Sequence, residues 1–281
     1  MFVISTAFAA IGAYTSGLLG YHWGISFWVG IPAGVALAAV MGWGLGRLVL
    51  RMRAIYLAIA TLAGQLIIEW TINHVPAISG GTQASIQVPR PSLFGVSFNT
   101  QTHLYFFLLF FAVLAIVATL NLARSRIGRA FVAVRDQDIA AEIIGIDIFR
   151  YKLLAFAISS FYAGVCGVLY TYYFGIANYE QFQLIVSIDY LAMIIIGGLG
   201  SVLGSILGAV FVTILPIILR TILESAGSLF FTDSELANVI SGTRLAVFGV
   251  LIIVFLIVEP EGLNRLWRNI RSYFRVWPFS Y

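Results

Sequence analysis

The sequence predicts an all-α polytopic membrane protein with about eight transmembrane helices, and three observations carry that reading. The 281-residue chain is 60% hydrophobic and only 10% charged, with a mean hydropathy of +0.98, whereas a soluble domain carries roughly 25% charged residues. Its apolar residues fall into runs near the length of about 20 residues that a helix needs to cross the hydrocarbon core. Its basic residues gather in three stretches between or after those runs, the kind of asymmetry that orients a membrane protein. The runs lack the alternation of a barrel wall, which argues against transmembrane strands. Residues 1–281 therefore read as a single transmembrane domain.

The runs, in order, are 3–20, 25–45, 54–72, 103–122, 153–176, 187–199, 202–222 and 244–258. The sixth and eighth are short, and the sixth can also be read as re-entrant, stopping partway through the membrane. Loop 46–53 holds Arg47, Arg51 and Arg53. Segment 123–152 holds Arg124, Arg126, Arg129, Arg135, Arg150 and Lys152, and tail 259–281 holds Arg265, Arg268, Arg271 and Arg275. An eight-span chain puts these thirteen of the sixteen basic residues on one side, which the positive-inside rule makes cytoplasmic, together with both termini. The other side receives Arg90, with Arg220 and Arg244 at helix ends. Loop 73–102 is the longest external segment, with Pro76, Pro89, Pro91 and the turn Ser79-Gly80-Gly81-Thr82. It is either a contact for an external partner or a solvated connector. The N-terminus has no basic n-region, so no cleavable signal peptide is expected.

Several chemistries drop out. The histidines are His22, His74 and His103, with no HExxH pair for zinc and no GxSxG nucleophile elbow. A Walker A loop needs Lys followed by Ser or Thr, and the sole lysine, Lys152, precedes Leu153. Any ATP-driven work therefore needs a separate ATPase subunit. No catalytic residue, metal set or cofactor site is expected in this chain. The net charge of +4 resides in membrane-flanking segments and does not signal nucleic-acid binding. Cys166, alone, cannot form an internal disulfide.

Within the spans, Gly197, Gly198, Gly200, Gly204 and Gly208 stand out. The last three recur every four residues, a spacing that lets helices pack backbone to backbone and is compatible with sliding or with a substrate path. Ionisable groups inside spans are functional candidates by default. Here they are Glu69 and Asp189, each near an interface, where each either lines the path or reaches water. Gln65, Ser159, Ser160 and Tyr162 are weaker polar candidates, and Tyr170, Tyr172 and Tyr173 read as an interfacial aromatic belt. The nearly uncharged midplane argues against the alternative of an ion-coupled secondary carrier.

Between the fourth and fifth runs, residues 136–146 read as a short helix outside the membrane. Asp136 or Asp138 caps its start, Ile139, Ala140, Ile143 and Ile144 form an apolar stripe, and Gly145 is a natural stop. Such a stripe needs cover from the lipid surface, from its own bundle or from a partner's groove.

The run Ile139-Ala140-Ala141-Glu142-Ile143-Ile144-Gly145 resembles the EAA…G cytoplasmic loop of ABC importer permeases. Residues 128–170, 195–209 and 50–63, the Ser79–Thr82 turn and Glu259-Pro260-Glu261-Gly262-Leu263 are similar, in order, to the M-type permeases for branched-chain amino acids. That resemblance implies a bacterial inner-membrane permease subunit paired with a second, H-type permease. Two cytoplasmic ATP-binding subunits would supply ATP and Mg²⁺, and a periplasmic binding protein would deliver substrate. Asp138, Ile139, Ala140, Ala141, Glu142, Ile143 and Gly145 would form the coupling helix. The implied cargo is a branched-chain or other hydrophobic amino acid, with urea, amides or aromatic acids as alternatives, because specificity in such systems resides largely in the binding protein. Two departures stand out. Ile139 takes the position usually held by Glu, with acids at Asp138 and Glu142 instead. The family usually has a further span upstream, whereas this sequence starts at Met1 with FVISTAFAAIGAYT; the first span is expected to be missing or replaced, through an internal start or a shorter chain, so the resemblance is not carried over residues 1–10.

Overall fold

The computed structural model describes residues 4–52, 54–79, 85–88, 92–93, 96–97 and 100–227, and beyond them 249–250, 253, 257, 262–263, 265 and 272–273. Each of the first seven apolar runs is helical there. In chain order the elements are α1 (Ser5–Trp23), α2 (Phe27–Val49), α3 (Ala54–His74), the turn α4 (Pro76–Ser79), β1 (Ser85–Gln87), β2 (Ser92–Leu93), β3 (Val96–Ser97) and α5 (Gln101–Arg124). They continue with α6 (Arg126–Asp136), α7 (Asp138–Ile143), α8 (Ile148–Phe174), β4 (Ile176–Asn178), α9 (Leu184–Gly197) and α10 (Val202–Gly227). The eighth run, 244–258, lies mostly outside the described residues. The chain divides into two units, Met1–Ser187 and Ile188–Tyr281.

In the first unit α1 is the central helix, packed along α2 and α8. Lipid tails are as apolar as leucine, so helices in a membrane gain by close van der Waals contact, which small residues permit. The sequence of α1 supplies them, and Ala7, Ala9, Ala10, Gly12, Ala13, Ser16, Gly17 and Gly20 are all buried. Its neighbours answer in kind. A Cβ added at Gly167 of α8 would strike the Ala9 carbonyl, one at Gly34 of α2 the Gly12 carbonyl, and one at Gly12 the backbone of Gly164. Larger side chains fill the gaps: Phe8 meets Phe156 edge-on at 5.8 Å, and Tyr172 meets Phe27 at 4.6 Å.

Among the described residues, four helices are long and apolar enough to cross a bilayer: Phe27–Val49, Ile55–His74, Gln101–Arg124 and Ile148–Phe174. By contrast, α1 is wrapped by protein and tolerates the Thr, Ser and Gly that lower its hydropathy. No residue in the most apolar stretch of α5 is fully buried within the chain, although Phe107 packs against Phe27. With 14 residues, α9 is about 21 Å long at 1.5 Å per residue. That is short of a hydrocarbon core of about 30 Å and in keeping with the re-entrant reading.

The two ends of the first unit differ chemically. At one, Leu50 after α2 lines a hollow of about 370 Å³ together with Glu142, Asp147, Phe149 and Lys152. Loop 46–53 and segment 123–152 thus meet at one basic end. At the other, Tyr21, Trp23, Trp28, Trp70, Tyr105 and Tyr173 are exposed, and Trp70 stacks on His74 at 4.5 Å. Tyrosine and tryptophan favour the membrane–water interface, so this is the aromatic belt. Tyr172 is not part of it. It is only 3% exposed and buried with Phe27, Val35 and Val168, because its ring fills the space left by small residues and its hydroxyl bonds the Ser16 side chain.

The aromatic end also departs from an all-helical reading. Loop 73–102 is no simple connector: β1 pairs antiparallel with β4, Ile86 opposite Ala177, and the Val88 N–H donates to the Gly175 carbonyl at 2.9 Å. A shorter ladder joins β2 and β3. Outside the spans, hydrogen bonds of this kind satisfy backbone groups that no helix serves. Residues 80–82 of the Ser79–Thr82 turn, with Pro89 and Pro91, lie outside the described residues.

Gly167→Ala tests the packing. It should destabilise the protein by about 1–3 kcal/mol, the usual cost of overpacking, read as a lower unfolding temperature in detergent. An unchanged transition would contradict backbone contact between α1 and α8.

Candidate functional site

The segment between α5 and α8 is built by three successive breaks. Ser125 leaves the helical region at φ −72°, ψ 172°, and its Oγ accepts the Gly128 N–H at 3.2 Å, capping α6. Gln137, extended at φ −151°, ψ 95°, separates α6 from α7. The helix expected over 136–146 is shorter, Asp138–Ile143, and the stretch before it, not expected to be helical, forms α6 and ends at Asp136. Asp136 ends α6 and pairs with Arg135 at 2.9 Å rather than capping the next helix. The Asp138 carboxylate does serve α7, accepting the Ile139 N–H at 2.9 Å.

Gly145, at φ +86°, closes α7. Its N–H donates to the Glu142 carbonyl at 2.9 Å and the Ile146 N–H to Ala141 at 3.0 Å, the paired bonds of a Schellman stop. Asp147 then caps α8 through the Arg150 N–H at 3.0 Å. Its ion pair with Arg150 and the Lys152–Asp138 pair at 4.0 Å are solvent-exposed and contribute little. Lys152 thus belongs to the start of α8, not to a loop.

The faces of α7 are unequal. Ala141 is 2% exposed and seats the helix, while Ile139, Ile143 and Ile144 are 74%, 81% and 71% exposed. Ala140 and Glu142 are exposed as well. Of the covers the stripe can have, its own bundle is excluded among the described residues. Exposed apolar patches of this kind are candidate interaction sites.

The polar candidates inside the spans divide differently. Gln65 is fully buried. Its Oε1 accepts the Ala7 N–H at 2.9 Å, and its Nε2 donates to the Phe182 carbonyl at 3.0 Å. It clamps α3 to the first turn of α1 and to the 3₁₀ turn Tyr179–Phe182. Beside it the hydroxyls of Thr6 and Ser187 lie 2.5 Å apart, partners that hydropathy alone does not reveal. Glu69, one turn further along α3, shares with Ala7, Ala10, Gln65 and Tyr179 a cavity of about 10 Å³, room for about one water molecule and too small for a solute. Ser160 is buried, donates to the Phe156 carbonyl at 2.8 Å and fills the space beside Gly42. Ser159 is exposed on α8, and Asp189 is partly buried in α9, inside that helix rather than at its start, which lies at Leu184. A larger hollow, about 630 Å³, opens among α1, α2 and α3, lined by Ile11, Leu18, Leu37, Met41, Ile67 and Ile72 with Tyr14 and Thr15.

In the second unit Gly197 and Gly198 are buried. A Cβ at Gly197 would strike the Gly204 carbonyl, and one at Gly208 the Met193 carbonyl. Gly204 and Gly208 thus bring α10 against α9. Gly200 does not share their face: it sits exposed in the turn before α10 at φ +84°, where a four-residue period has no meaning. Gly262 packs on the same turn, its Cα facing Gly198.

Residues 4–257 match the model of a family described as branched-chain amino acid transport system / permease component. The high-affinity branched-chain amino acid transport system permease protein LivM of Salmonella typhimurium is 31% identical over 284 residues, covering 93% of this chain and 63% of that protein. LivM of Escherichia coli K12 matches to the same extent. The permease protein LivH of Salmonella typhimurium is 27% identical over 72% of this chain and 65% of its own length. The chain thus spans about 63% of the length of its LivM relatives. No solved structure matches.

Gln65→Leu should leave the Ala7 amide and the Phe182 carbonyl buried without partners, at about 1–3 kcal/mol each. Unfolding in detergent should shift accordingly, while Ser159→Ala at the exposed neighbour of Ser160 should not move it. Equal behaviour of the two variants would refute the clamp.

Proposed function

The chain belongs to the family of branched-chain amino acid transport system permease components, and on that footing we propose that it is the transmembrane permease subunit of an ATP-driven importer. Its cargo is a branched-chain or other hydrophobic amino acid. A periplasmic binding protein delivers it, and a second, H-type permease completes the path, a pairing supported by similarity to both LivM and LivH. ATP and Mg²⁺ act on two cytoplasmic partner subunits. The basic end faces the cytoplasm with both termini, as the positive-inside rule requires, and the aromatic end faces the binding protein.

One observation carries this reading: α7 holds Ile139, Ile143 and Ile144 outward while Ala141 and the Gly145 stop fix it to the body. A short helix with apolar anchors on one face suits a partner's groove. Closure of the ATPase pair would push on α7. The push passes to α8 through the Ile144–Asp147 turn, and α8 lies backbone to backbone on α1. The hollow among α1, α2 and α3 is apolar with a few polar groups, the make-up of sites for small apolar ligands.

Uptake by vesicles containing the whole complex, with ATP and the binding protein supplied, tests the assignment. Ile143→Asp alters an exposed side chain, so folding and insertion should persist. Uptake should fall about tenfold or more, as for loss of an interface anchor worth at least roughly 1.4 kcal/mol. Undiminished uptake in Ile143→Asp would remove α7 from the coupling role.

A further inference from the structure

We infer that the start of α6 is a binding surface for the headgroups of anionic phospholipids, separate from the outward face of α7. Arg124, Arg126 and Arg129 are exposed within six residues of chain. None of them has a carboxylate partner among the described residues: the ion pairs of this corner go to Arg135, Arg150 and Lys152. Arg129 instead donates from Nη1 to the Arg124 carbonyl at 3.0 Å, which draws the guanidinium back toward the end of α5.

Depth follows from length. The 24 residues of α5 measure about 36 Å at 1.5 Å per residue, against a hydrocarbon core of about 30 Å. The last turn of α5 therefore reaches the headgroup layer, and Arg124 is its final residue. The Ser125 break keeps Arg126 and Arg129 close to that level. Inward, α6 buries Gly128, Ala130 and Val134. Outward, it shows Val132, 49% exposed, beside the arginines. A basic amphipathic helix joined directly to a membrane span attracts anionic lipid. Guanidinium groups bind phosphate through paired N–H donors. The nearest isoleucine of α7, Ile139, lies beyond the Gln137 break, so lipid and protein partners have separate contact faces.

Native mass spectrometry of the full chain in its complex tests this. The complex is released from nanodiscs of phosphatidylcholine with or without phosphatidylglycerol. Phosphatidylglycerol should be retained in preference. Replacing Arg124, Arg126 and Arg129 by Gln should weaken retention about fivefold for each arginine near the surface, while Arg135→Gln, whose partner is Asp136, should change little. Substitution of the same three by Lys should restore most retention and keeps the test valid if the Gln variants insert poorly. Inorganic phosphate in solution should not compete. Equal retention of both lipids, displacement by free phosphate, or a crosslink from position 126 to an ATPase subunit in place of lipid would each overturn the inference.

Discussion

Backbone contact between α1 and its neighbours α2 and α8 is the constraint on which the first unit depends. A bilayer gives no hydrophobic reward for bringing helices together, so the gain comes from close approach. Ala9 against Gly167, and Gly12 against Gly34 and Gly164, supply that approach. It buries most of the first half of α1 in protein, which is why Thr6, Ser16 and a buried helix start are tolerated there. Their polar groups find protein partners: the Ala7 amide takes Gln65, Thr6 takes Ser187, and Ser16 takes Tyr172. The clamp on α3 and the turn before α9 are thus consequences of how tightly α1 is enclosed.

The same packing gives the basic end its mechanical character. With 27 residues, α8 outruns the hydrocarbon thickness and carries the break-and-cap sequence at Asp147 and Gly145. The α7 helix is too short to be stable by itself. It persists because Ala141 is seated, both ends are closed by hydrogen bonds, and α6 lies alongside. A helix held this firmly keeps its isoleucines outward.

Charge is distributed by the same economy. Most charged side chains stay at the ends, where water and headgroups solvate them, and the buried Thr6, Gln65 and Ser160 of the spans are neutral and hydrogen-bonded, whereas the buried Thr171 hydroxyl has no partner among the described residues. Glu69 and Asp189 are acids inside helices of the spans, Glu69 in the small cavity beside the first turn of α1 with one carboxylate oxygen buried and without a partner among the described residues.

Much of the architecture was legible in the amino-acid sequence. Hydropathy located α1, α2, α3, α5, α8, α9 and α10 to within about five residues, the arginines marked one end, and the period of Ile139 and Ile143 with the stop at Gly145 identified the exposed helix. Those features follow from one-dimensional rules: span length, charge placement and helical spacing. The tertiary structure alone decided which apolar or weakly polar residues meet protein. It made Gln65 and Ser160 packing groups, took Tyr172 out of the belt, shortened the helix at 136–146 to Asp138–Ile143 behind a separate helix α6, and put Gly200 in a turn. The physical reason is that lipid and protein interior are equally apolar. A face turned to either has the same composition, and only the packed neighbours tell them apart.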